Sequence, residues 1–172
     1  MAVHGFSLEI SVQILTPSLS ASLRASLADI ELGMQAARER TTFKMVSRRY
    51  SDEVVSIYYR CLCDVAFGYR FYACTSAKRG RAVVISNIEL APDVRGKGFL
   101  KALMHALSQP HVGLDAIEVE NVLNGALAAH LQRMGAHPMS QGYEGGSWFL
   151  PLNETKFRIP HPPMATGGSF GV

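Results

Sequence analysis

The residues whose types and spacing could do chemistry are Arg95, Gly96, Lys97 and Gly98, two cations alternating with two glycines. They follow an apolar segment, Ala82 to Leu90, that breaks at Pro92. Beyond them Leu100, Leu103, Met104 and Leu107 recur at helical spacing, so a helix is expected from about 97 to 108. A strand, a glycine turn and a helix aim several backbone N–H groups and a positive helix end at one point, and a phosphate is the natural occupant of that point. Glycine suits the turn because a side chain there would hold a ligand away from the backbone. The same four residues also occur in plain basic loops, so the elements around them decide their meaning.

A second strand and helix follow. Ile117-Glu118-Val119 reads as a strand, and Asn124 opens a helix carrying Leu127, Leu131 and Met134 on one face and stopped by Gly135. Asn124 is also a good helix cap in its own right.

Taken together these segments resemble the GNAT superfamily, which transfers acetyl groups from acetyl-coenzyme A. Arg95 and Gly98 match the first and fourth positions of that family's pyrophosphate loop, while Leu100 stands at the sixth, where the family has Gly or Ala. A register starting at Asp93 would restore glycine at both positions, Gly96 and Gly98, but loses the opening Arg or Gln. Asn124 and Gly135 keep the family's eleven-residue interval between an Asn and a Gly. The resemblance spans about residues 82 to 136. Leu131 and Ala136 replace a Tyr and a Phe that many members have, and Leu131 has no proton for a leaving thiolate.

The resemblance implies an α/β (α+β) fold, a mixed and mostly antiparallel sheet flanked by helices, with strands splayed at the coenzyme site. It implies acetyl-CoA as acyl-donor cosubstrate, held by Ile88, Leu90, Ala91, Arg95, Gly96, Lys97, Gly98, Phe99, Leu100 and Asn124. The backbone of Ile88 to Ala91 would pair with the pantetheine arm, and an N–H near Leu90 would hold the thioester oxygen. Acetylating an amine needs a group that removes its proton, and Glu89 is the best-placed carboxylate, with Glu118 and Glu120 weaker candidates on the next strand. His130 and Tyr143 complete the catalytic candidates, though a helix flank and the core are their structural alternatives. The expected activity is direct acetyl transfer to an amine of a small molecule or protein. The rival is a weak or inactive module of the same fold that binds another protein.

A chain of 172 residues with 48% apolar and 18% charged residues suits one globular domain, expected over 1–152, with a Pro/Gly-rich tail over 153–172. The net charge of +3 is too small to argue for nucleic acid, so no nucleic-acid partner is expected. Cys61 and Cys63 lie two apart on one strand face, poorly placed to bridge, so reduced buried thiols and a cytoplasmic protein are expected. His105, His111 and His137 show no ligand spacing, and no metal is expected. No apolar run is long enough to cross a membrane. A monomer or homodimer is expected.

The alternation Phe6, Leu8, Ile10, Val12, Ile14 reads as a first strand, and Thr16-Pro17 opens a helix that should end near Arg40. Residues 42–50 read as a loop or short helix. Strands are expected at about 53–61, 66–76, 82–90, 115–120, 137–143 and 147–152, with Gly145-Gly146 turning between the last two.

Overall fold

A computed structural model describes residues 15–66, 79–139 and 146–153. The strand expected at 6–14, most of that expected at 66–76, Gly145 in the last turn, Tyr143 and nearly all of the tail lie outside the described residues.

Helix α1 spans Pro17–Glu39 and starts where Thr16 Oγ1 accepts from the Leu19 N–H, with proline in the first turn. Leu19, Leu23, Leu27, Ile30, Met34 and Ala37 form its buried stripe. Strands β1 (Met45–Ser51) and β2 (Val55–Ala66) pair antiparallel against that stripe, and β3 (Arg79–Leu90) pairs antiparallel with β2. Helix α2 (Phe99–Leu107), strand β4 (Ala116–Val119), helix α3 (Gly125–Arg133) and the short strands β5 (His137–Pro138) and β6 (Trp148–Pro151) complete the order. The six strands lie in the order β1-β2-β3-β4-β6-β5, and β3 with β4 is the parallel pair. This is the mixed, mostly antiparallel sheet that was expected.

Strand β1 corrects the reading of 42–50. Its side chains alternate outward and inward along Met45–Ser51, but two of the inward positions are Arg48 and Tyr50, so no aliphatic pattern marks them. Arg48 pairs with Asp29 of α1, and Tyr59 of β2 donates its hydroxyl to the same carboxylate at 2.5 Å. Tyr50 and Ser22 both donate to Asp52 Oδ2, at 2.6 and 2.7 Å. These bonds mount α1 on β1 and β2. Cys61 and Cys63 face α1 as buried free thiols.

Among the described residues two clusters make the core. The larger joins α1, α2 and Leu131 of α3 to one sheet face, and the smaller holds Leu62, Ala82, Val84, Ala116 and Phe149 on the other.

Candidate functional site

The site begins where β3 and β4 part. Their register runs from Ala82 opposite Ala116 to Ile85 opposite Val119, and the Glu120 N–H then donates to the Ile85 carbonyl at 2.9 Å. Asn121 follows with φ +55°, a left-handed conformation that asparagine tolerates, and donates its side-chain amide to the Ser86 carbonyl at 3.3 Å. The chain then turns toward β6, with the Val122 N–H on the Gly146 carbonyl. Among the described residues, β3 continues from Asn87 to Leu90 paired only with β2, so its other edge is open there from about Ile88 onward.

The direction of that edge follows from pairing. The Ala91 N–H donates to the Val54 carbonyl on the β2 side, and backbone groups in an antiparallel ladder alternate sides. Leu90 and Ile88 therefore turn their N–H and C=O groups to the open edge, while their side chains pack on the main core. The phase results from a bulge at Ser86: Tyr58 faces Asn87 and Tyr59 faces Ile85, leaving Ser86 without a partner across the ladder.

Past Leu90 the chain makes a short 3-10 turn, Pro92–Val94, and enters the glycine loop. Gly96 and Gly98 have φ of +72° and +81°, a backbone that only glycine adopts without strain. A Cβ on either would meet none of the described residues within 4 Å. The glycines are thus required by the loop's shape and not by a neighbour among the described residues. Gly98 is the N-cap of α2 and no side chain caps that helix. The first helical bond is from the Ala102 N–H to the Gly98 carbonyl, so the N–H groups of Phe99, Leu100 and Lys101 lie ahead of the helical ladder. Arg95 and Lys97 are exposed beside them, and Arg95 Nε donates at 3.0 Å to the Leu90 carbonyl, closing one acceptor of the open edge.

Phe99 is buried and the Leu100 side chain packs against the core, so neither crowds the loop's outer side. Asn124 Oδ1 accepts from the Ala126 and Leu127 N–H groups at 2.8 and 3.4 Å, the cap that was its structural alternative.

The described catalytic candidates lie on different elements, Glu89 on β3 and His130 on α3. Glu89 is exposed near the end of β3, where its Oε1 accepts from Asn87 Nδ2 at 2.7 Å. His130 lies on α3 with Nε2 buried and without a hydrogen-bond partner among the described residues. Burial lowers its pKa, and the charges of Arg133 and Lys101 of α2 act in the same direction, so the site favours the neutral ring. Leu131 is fully buried in the core. Glu118 is buried on β4 opposite Phe149. Glu120, half-buried just beyond β4, pairs with Arg60 of β2 and accepts from Ser86 Oγ at 2.6 Å. Sequence reasoning ranked it low because nothing local signals an arginine sixty residues away.

Among the described residues no group of three His, Cys, Asp or Glu could hold a metal ion, and no helix is long and apolar enough to cross a membrane.

No family model and no curated protein matches the sequence. Solved structures similar in fold include a mutant AtaT toxin bound to the C-terminus of the antitoxin AtaR and acetyl-CoA (19% identity, 58% of this chain and 59% of that one, TM-score 0.37). This chain thus spans about three fifths of that toxin chain. Another is the ribosomal-protein-S18-alanine N-acetyltransferase from Escherichia coli (13% identity, 76% and 77% coverage, TM-score 0.41). A third is AtaT complexed with acetyl-methionyl-tRNAfMet (16% identity, 76% and 82% coverage, TM-score 0.40). With TM-scores this low, the site is read from this chain's own geometry.

Proposed function

We propose that this chain is an acetyl-CoA-dependent N-acetyltransferase acting by direct transfer to an amine. The observation that carries the reading is the opening between β3 and β4, which runs from the Glu120–Ile85 link along the free edge of Ile88 and Leu90 to the uncapped end of α2. Acetyl-CoA fits this arrangement part by part. The N–H groups of Gly98 to Lys101 suit a diphosphate, which needs several donors and no side chain in the way. Arg95 and Lys97 add positive charge that favours anion capture and speeds encounter. The Ile88 N–H and C=O and the Leu90 N–H offer an amide-bearing arm hydrogen bonds of a missing strand, the Leu90 carbonyl being held by Arg95. When bound, the coenzyme supplies the activated acetyl carbonyl. An edge N–H of Ile88 or Leu90 is a fixed donor for the charge that develops on that oxygen. Asn124 contributes by capping the first turn of α3.

Calorimetric titration with acetyl-CoA tests the reading: a micromolar dissociation constant is expected, with about tenfold or greater loss in Arg95→Glu, which puts a negative charge beside the diphosphate. A protein that folds normally yet gives no heat at millimolar coenzyme refutes it.

A second reading takes its support from Leu131. A buried leucine there provides no hydroxyl for the leaving thiolate, as suits a module that keeps the scaffold and binds another protein. Coenzyme binding without acceptor turnover, together with a tight protein partner, would favour that module.

A further inference from the structure

Glu120 stands at the closed end of the opening, and three features meet there. Its own N–H makes the last backbone link to β3, through the Ile85 carbonyl. Its carboxylate crosses the sheet face to Arg60 of β2 and Ser86 of β3, so one side chain fastens the strands on either side of the bulge. The next residue, Asn121, is held in a left-handed conformation against the Ser86 carbonyl. A bulge, a left-handed non-glycine residue and a half-buried ion pair at one corner are features that cluster where a fold positions a reactive group. Arg60 Nε is buried there without a hydrogen-bond partner among the described residues.

Distance selects this corner over the end of β3. From Ala91, beside the glycine loop, back to Ser86 is five residues, or about 16 Å of extended strand. An arm anchored at the loop and laid along the open edge therefore ends its run near Ser86 and Glu120. Glu89, by contrast, sits beside the start of that run.

We propose, resting on the acetyltransferase reading, that Glu120 is the carboxylate that meets the acceptor ammonium and takes its proton, with Arg60 and Ser86 as positioning residues. Glu120 removes one proton from the ammonium, and the freed nitrogen lone pair forms the N–C bond. As the C–S bond breaks, its electron pair leaves on sulfur, which is protonated. Of the three nitrogen protons one stays in the amide, one ends on the thiol and one passes to solvent. The substrate class is a primary amine that arrives protonated.

The test uses the full chain with ethylamine as probe acceptor. Wild type and Glu120→Gln should bind acetyl-CoA within about threefold of each other, while enzyme-dependent thiol release falls about 100-fold in the variant. Its residual rate should rise with hydroxide concentration across the range where the wild-type rate has levelled. A readout apart from turnover is ethylammonium binding to protein saturated with CoA, followed by NMR titration, which should weaken about tenfold. Glu120→Asp keeps the charge and should recover part of both effects, which guards against a variant that merely misfolds. Equal turnover, pH profile and ethylammonium affinity in Glu120→Gln would overturn the assignment, as would a loss that instead follows Glu89→Gln. Coenzyme binding by wild type with no thiol release above the buffer rate also overturns it, and leaves the coenzyme site standing. Absence of coenzyme binding in wild type removes the acetyltransferase reading itself.

Discussion

Gly98→Ala puts the glycine loop to a quantitative test. Gly98 has φ +81° and caps α2, and a left-handed backbone costs an L-residue about 1–2 kcal/mol. No atom of the described residues lies within 4 Å of the added Cβ, so the cost worked from them is conformational and not a clash. It can appear in two places. If the loop keeps its shape, stability falls by the full 1–2 kcal/mol, about 2–8 °C in Tm for a chain of this size. If the loop relaxes, its N–H groups leave their common focus and the cost appears as weaker coenzyme binding, about 5–30-fold. In either case the methyl group enters the space where a diphosphate would approach the backbone, so affinity should fall more than strain alone demands. Thermal unfolding and acetyl-CoA calorimetry on the same sample separate the two. Gly125→Ala is the control, because Gly125 begins α3 without a positive φ and with open space around its Cβ. A Gly98→Ala protein that loses 1–2 kcal/mol of stability and binds coenzyme as tightly as wild type would show that no phosphate rests on this loop.

Two further outcomes concern the mounting of α1. The Asp29 pKa is moved by burial, which raises it, but hydrogen bonds from Arg48 and Tyr59 and the Arg48 charge prevail and hold it below the ordinary carboxylate value. Its stabilising contribution is therefore present above the unfolded-state value and lost as pH falls through the lowered folded value. Asp29→Asn should be less stable at neutral pH and show a shallower acid limb between about pH 5 and 2 in urea melts, and an unchanged limb would count against the pairing. In Gly33→Ala the new Cβ would lie 2.8 Å from Cys61 Sγ and 2.9 Å from Arg48 Cδ. Overpacking of about 1–3 kcal/mol outweighs the roughly 1 kcal/mol gained in helix propensity, so Tm should drop, and a rise would contradict the close approach.

The parts of this fold legible in the sequence are those whose signals are local. Helix α1 announces itself by Thr16-Pro17 and a leucine stripe, and the junction from β3 to α2 by its apolar run, its glycines and its renewed helical spacing. Strand β1 was hidden because its inward side chains are Arg48 and Tyr50, whose partners Asp29 and Asp52 become visible only once the chain has folded. The bulge at Ser86 was equally hidden, since register is a property of two strands and not of one. It decides which backbone groups of Ile88 and Leu90 face the opening, and it brings Ser86 to Glu120. Glu89 stood out by its place in the sequence, whereas Glu120 stands out by what reaches it across the sheet.

The two thiols beneath α1 have a use of their own. Cys61 and Cys63 donate to the Ile30 and Met34 carbonyls, at 3.6 and 3.5 Å, so sulfur touches two successive turns of one helix. Burial pushes the Cys61 thiol up to about 12, which leaves almost no reactive thiolate while the helix stays seated. An alkylating reagent can therefore capture Cys61 only in the moments when α1 lifts. The labelling rate becomes a stopwatch for that excursion, already fitted by nature and needing no introduced probe.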